Sequence, residues 1–202
     1  MRFCVLLLAV LLLATACAPR FSQDGAGQGY TDQKTDTFYA AMPAAFEAAS
    51  REGEPIGEFE DEEFERVLAF YAIPKLDAKE FITDEYGYVY CALDPMPEFK
   101  DFSPNEILVC EEDAVSVELY RVTGVNSIAA LATAWKAGEE LELPMVKATT
   151  ARRLKLASPL YPNLYYCISF YAYESGEVYL HDSESDHTVA CPEALAELIL
   201  KK

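Results

Sequence analysis

Apolar residues recur with two different periods along this 202-residue chain, and the changes of period predict its elements. Residues 3–13 are apolar without a break, a run shorter than the ~20 helical residues that cross a bilayer core of about 30 Å. Residues 18–34 (APRFSQDGAGQGYTDQK) are polar and glycine-containing. Phe38, Met42 and Phe46 form a helical stripe and predict a first helix over 37–50, capped by Asp36 and weakened by Pro43. Phe64, Val67, Leu68 and Tyr71 predict a second over 61–72, with Asp61, Glu62 and Glu63 at its positive end and Pro74 as its stop. The aromatic segment 86–93 reads as a strand, as do 107–110 and 115–122, the last alternating apolar with polar positions. Asn126 caps a third helix over 127–137, with Ile128, Leu131 and Trp135 inward and Gly138 as its stop. A short strand at 145–150 and a proline-containing connection at 154–161 follow. Segments 164–174 and 177–181 form a hairpin through Ser175-Gly176, and Pro192 starts a last helix over 193–200. The order predicts an α+β fold: a single domain over 35–202, an antiparallel sheet of about five or six strands with three or four helices packed on it.

Composition narrows the partners. Sixteen basic against 34 acidic residues give a net charge of −18, a field that repels nucleic acid and anionic headgroups and suits cations or a basic partner. Half the residues are apolar, with 13 Tyr and 11 Phe, so the chain is not of a disordered composition.

Cys17 stands at the end of the first apolar run, directly after Leu13-Ala14-Thr15-Ala16, with Arg2 as a short positive start. A small residue just before a cysteine at that point resembles the signal peptide of bacterial lipoproteins, although Ala14 stands where leucine is commonest. The resemblance implies removal of residues 1–16, lipidation of Cys17 by diacylglycerol and an acylated amine, and anchoring in a cell-envelope membrane. Each buried CH₂ of such chains contributes ~0.8 kcal/mol. The residues after the cut, Ala18-Pro19, lack the aspartate that often retains such proteins at an inner membrane, which favours the outer membrane in a source that has two. Ordinary signal peptidase cleavage after Ala14-Thr15-Ala16 would cut the same bond and give a secreted or periplasmic protein. Residues 17–34 then read as the lipidated N-terminus and a flexible tether, with an r.m.s. reach of roughly 20–25 Å.

Of six cysteines, Cys4 leaves with the signal, and acylation of Cys17 leaves an even four: Cys91, Cys110, Cys167 and Cys191. Three pairings are open; Cys91 with Cys110 and Cys167 with Cys191 are preferred because each pair flanks one strand-loop segment. Their spacing fits no zinc pattern, and no Cys-x-x-Cys is present.

The remaining candidates are few. His181 and His187, the only histidines, enclose Asp182, Glu184 and Asp186, a set that could ligate a metal if a turn made it converge; in an extended strand the histidines and the acids would face opposite ways. Arg152 and Arg153, with Lys147 and Lys155, form the one dense basic cluster, able to grip an anion or to pair with the domain's own acids. Tyr171 and Tyr173 share one face of their strand, opposite Phe170 and Ala172, and offer an aromatic contact surface. No nucleophile elbow, phosphate loop, His-Glu-x-x-His helix or dinucleotide turn is present, so no catalytic residue and no cofactor is assigned. The sequence therefore reads as a lipid-anchored envelope protein that works as an interaction or binding module. Its partners are the membrane, through the lipid, and an envelope protein. The alternative is an envelope hydrolase or metal-dependent enzyme centred on His181 and His187.

Overall fold

Aromatic and β-branched residues, which a pleated half-buried surface accommodates, cluster in segments such as 81–84, 89–91 and 164–172. The computed structural model describes residues 20–61, 64–112 and 117–201. The strands are β1 (Phe21–Gln23), β2 (Gly29–Asp32), β3 (Thr37–Ala41), β4 (Phe46–Ala48), β5 (Glu52–Asp61), β6 (Arg66–Ala72), β7 (Phe81–Asp84), β8 (Val89–Cys91), β9 (Glu106–Glu111), β10 (Glu118–Val122), β11 (Thr150–Ala157), β12 (Leu164–Ala172), β13 (Val178–Asp182) and β14 (His187–Ala190). Among the described residues three helices are interspersed: α1 (Phe99–Phe102), α2 (Val125–Ala137) and α3 (Glu193–Leu200).

Two antiparallel sheets result. The first runs β1-β2-β3-β8-β7-β6-β5 and curls until its two edges meet. There the Arg20 guanidinium donates to the Ile56 carbonyl, and Gly57 makes the approach possible. A Cβ on Gly57 would lie 2.7 Å from side-chain carbons of Arg20 and Phe21. Inside the curl Phe21, Tyr30, Tyr39, Leu68, Phe70, Ile82 and Tyr90 form a small core. The second sheet runs β10-β9-β11-β12-β13-β14. Its inner face, α2, α3 and the outer side of β7 and β8 enclose a larger core around Leu154, Leu156, Ile168, Phe170, Leu180 and Leu131. Strand β4 joins the sheets: it pairs with the first part of β12, and Ala48 donates to the Gly87 carbonyl next to β8.

This is a mostly β architecture, and it corrects the α+β expectation of one five- or six-stranded sheet under three or four helices. The last two expected helices are present as α2 and α3, but 37–50 and 61–72 are strands. In 37–50, Pro43 ends β3 and turns the chain into β4, so Phe38 is left 45% exposed while Tyr39 points inward. In β6 the inward residues are Leu68 and Phe70, two apart, and Phe64 and Val67 of the supposed stripe are exposed. A short apolar run fits both periods, and the cross-strand partners β5 and β7 decide it. Residues 154–161 were expected as a connection, yet Thr150–Ala157 is a central strand, and 145–149 precede it without pairing as one. The span expected as tether contributes β1 and β2, so among the described residues strand pairing starts at Phe21, ahead of residue 35. Cys17 and the signal segment lie outside the described residues.

Arg20 fastens that beginning. Its Nε and Nη2 donate to the two oxygens of Asp32 at 2.9 and 2.6 Å, and Asp32 also accepts from the Lys34 amide and the Thr35 hydroxyl. The Arg20 guanidinium and these donors, against the cost of burial, hold the Asp32 carboxyl at about 2, well below the usual carboxylate range. A depressed pKa contributes stability that is present above about pH 4 and lost as pH falls toward 2. Asp32→Asn is therefore expected to lower the unfolding free energy by about 2–3 kcal/mol at pH 7. Urea titrations at pH 7 and pH 2.5 check it: the gap between wild type and variant should shrink markedly at the lower pH.

Candidate functional site

Strand parity divides the second sheet into a core face and a polar face. Leu154, Leu156, Ile168, Phe170 and Leu180 point into the core, so Arg153, Lys155, Cys167, Ser169 and His181 point away from it. Across neighbouring strands the register places Cys110, Arg153, Ser169, His181 and Thr188 in one row. Glu47 of β4 reaches over this face: it pairs with Lys155, stands 3.9 Å from Arg153 and accepts from the Cys167 thiol at 3.5 Å. Ser169 and Tyr171 both donate to Glu112 at 3.3 Å. Among the described residues, Arg153 Nε and Glu112 Oε2 are buried with no hydrogen-bond partner, each at a cost of about 1–3 kcal/mol until a polar atom reaches it. A polar cavity of about 120 Å³ opens between Arg153, Ser169, His181 and the 182–184 turn.

That turn is built by Asp182, which accepts from the Glu184 amide at 3.0 Å and the Ser185 hydroxyl at 2.7 Å. Glu184 in turn accepts from the Ala44 amide, tying the turn to the chain entering β4. On the other side of this ridge lies a groove of about 360 Å³ whose floor is Phe46, Phe99 and Tyr166, with Glu98, Asp182 and Glu184 among its lining residues. Tyr166 meets Phe99 at 4.9 Å and Phe46 at 5.1 Å between ring centres, and Trp135 stands behind them, 6.0 Å from Phe99. Burial and the Asp182 charge push the Tyr166 hydroxyl up to about 12. Aromatic faces carry negative potential, and with carboxylates beside them they draw a cation. Lys136 Nζ already lies 5.9 Å from the Phe99 ring centre.

The sequence candidates fall as follows. His181 and His187 are not brought together. His181 Nδ1 bonds the Thr188 hydroxyl at 2.9 Å on the polar face. His187 faces α2, its Nδ1 on Glu140 at 2.8 Å and its Nε2 on the Trp135 carbonyl at 2.9 Å, which leaves neither ring nitrogen free for a metal. Asp182 is committed to its turn, and Asp186 is an exposed turn residue with φ of 57°. Among the described residues no group of three or more His, Cys, Asp or Glu is placed to hold a metal ion. Arg152 and Arg153 face opposite ways, Arg152 pairing with Glu111 at 3.2 Å. Tyr171 is tied to Glu112, whereas Tyr173 is buried against Tyr179. Glu47, Phe46 and Phe99 escaped the sequence reading. The first two lay inside an expected helix, and Phe99 lay between elements; the alternation of Arg153 and Lys155 with Leu154 and Leu156 was the one signal that pointed to this face.

The four cysteines of the domain are free thiols, not the expected Cys91–Cys110 and Cys167–Cys191 bridges. Parity is the reason. Cys91 lies in the large core and Cys110 on the polar face; Cys167 is on the polar face and Cys191 packs against the core beside α3. Burial pushes Cys167 and Cys191 up to about 12. At neutral pH their reaction with Ellman's reagent should run on the order of a thousandfold below that of an ordinary thiol. For a form starting at Ala18, unfolding without reductant should then release four titratable thiols; a smaller number would show a bridge. Set against known proteins, the chain matches no family model, no curated protein sequence and no solved structure.

Proposed function

We propose that this chain is a lipid-anchored cell-envelope protein whose β-rich domain is a binding module for a basic segment of an envelope protein. Its contact site is the groove over Phe46, Phe99 and Tyr166. One observation carries the reading: three rings and three carboxylates line a single groove. A Lys or Arg side chain entering there gains the ring faces and the charges of Glu98 and Glu184 together, and such contacts contribute about 1–2 kcal/mol each once desolvated. The overall charge of −18 supports the same partner, because it raises the encounter rate of a cationic one. The anchor rests on the apolar run that ends at Ala16-Cys17.

The only tryptophan of the chain, Trp135, lies behind the groove and reports on it. Titration with an octa-arginine peptide should change Trp135 fluorescence saturably. Phe99→Ala and the pair Glu98→Gln with Glu184→Gln should each weaken the apparent affinity about tenfold, and 0.5 M salt should weaken the wild type. An unchanged emission, or a change that the Gln variants retain in full, would remove the groove as the site.

A further inference from the structure

We infer that the first sheet stands end-on at the bilayer, with the end formed by Arg20, the β2–β3 turn and the β6–β7 connection against the headgroups. This rests on acylation of Cys17 as proposed above. The argument starts from chain length. Cys17 precedes Arg20 by three residues, and three trans peptide units span at most about 11 Å. No slack is gained beyond that point, because Arg20 is held by both oxygens of Asp32 and by the Ile56 carbonyl. Phe21 is 1% exposed, its ring 4.5 Å from that of Phe70. A domain that begins three residues after its anchor is not suspended from the membrane; it rests on it.

Topology then decides which surface is lowest. Every neighbouring pair in the first sheet is antiparallel, so the turns alternate between its two ends. Residue 20 shares its end with the β2–β3 turn and the β6–β7 connection. The β1–β2, β5–β6 and β7–β8 connections lie at the other end, about 15 Å away for strands of four to five residues. Charge follows the same division. The near end carries exposed Lys34, Lys75 and Lys79 among Asp36, Glu52, Glu54, Asp77 and Glu80. The far end carries Glu60, Asp61, Glu65 and Glu85 with Arg66 as the opposing charge, itself paired with Asp61 at 3.0 Å. Anionic headgroups repel the far end more than the near one with its three lysines. The exposed rings of Phe64, Tyr86 and Tyr88, at 65, 67 and 58% exposure, are then presented to the aqueous side.

The full acylated chain in vesicles of phosphatidylcholine and phosphatidylglycerol tests this. A fluorescent amino acid is placed at position 34 or at position 65, and a headgroup spin-labelled lipid serves as quencher. Quenching at 34 should exceed that at 65 severalfold, and ten Gly/Ser residues inserted between Pro19 and Arg20 should erase the difference. Equal quenching without the insertion, or stronger quenching at 65, overturns the orientation. Intact mass of the same preparation separates the two readings: an unacylated Cys17 on a chain that stays off the vesicles removes the anchor itself, whereas an acylated chain with equal quenching removes the orientation alone.

Discussion

The fold depends on a wall two strands wide that is buried on both faces. Every residue of β7 and β8 is buried. Phe81, Val89 and Cys91 face the large core, and Ile82 and Tyr90 face the small one, so each core is closed by the back of the other. Such a wall forces polar groups inside. Thr83 answers by donating to the Tyr88 carbonyl at 2.9 Å, and Asp84 by accepting from the Tyr86 and Tyr88 amides and the Tyr90 hydroxyl. Burial pushes the Asp84 carboxyl up while these donors hold it down. Tyr90 is raised too, by burial first and the Asp84 charge second. The first sheet can curl only because β7 and β8 supply one side of it, and the second sheet has a lid only because the same strands turn their other side outward.

One turn chemistry recurs at each critical joint. Asp32, Asp84 and Asp182 each end a strand, are buried, and accept from the amide two residues on, at 2.9, 2.9 and 3.0 Å. An aspartate in this role fixes the turn locally, without help from distant contacts. What differs is the second use of the carboxylate. Asp32 grips Arg20 and fastens the edge at which the first sheet closes; Asp84 braces the shared wall; Asp182 forms the ridge between the polar cavity and the aromatic groove. The candidate site is thus a by-product of hairpin construction, set where a turn of one sheet meets the strand that joins it to the other.

The sequence disclosed elements whose pattern admits one period. Ile128, Leu131 and Trp135 in α2, and Leu195 and Ile199 in α3, sit at helical spacing with clear stops, and Phe170 and Ala172 against Ser169 and Tyr171 alternate as a half-buried strand does. It misled where few residues fit both periods. Phe64, Val67, Leu68 and Tyr71 make a helical stripe on paper, while Leu68 and Phe70 make the real inward face. Val67, Phe70 and Tyr71 are residues that strands prefer, and that preference was the arbiter available. The curled sheet itself was hidden, since closure depends on Gly57 meeting Arg20 and Phe21, a contact across 36 residues with no local signature. The cysteine pairing misled for a related reason: proximity along the chain says nothing about which face of a sheet a side chain takes.

The placement of charge argues for the kind of ligand. Where the second sheet gathers cations, it also consumes them: Glu47 takes Lys155 and lies beside Arg153, and Glu111 takes Arg152. An anion would have to compete with carboxylates already seated, at the expense of breaking half-buried pairs. The acids of the groove stand differently. Glu184 accepts a backbone amide, a neutral donor that leaves its charge uncompensated, and Glu98 is met by Lys100 in the open, where pairing contributes little. A cation arriving at Phe99 and Tyr166 therefore finds Asp182 and Glu184 met by neutral donors, and Glu98 paired only in the open. The distribution of uncompensated charge, more than its total, is what supports the proposal of a basic partner.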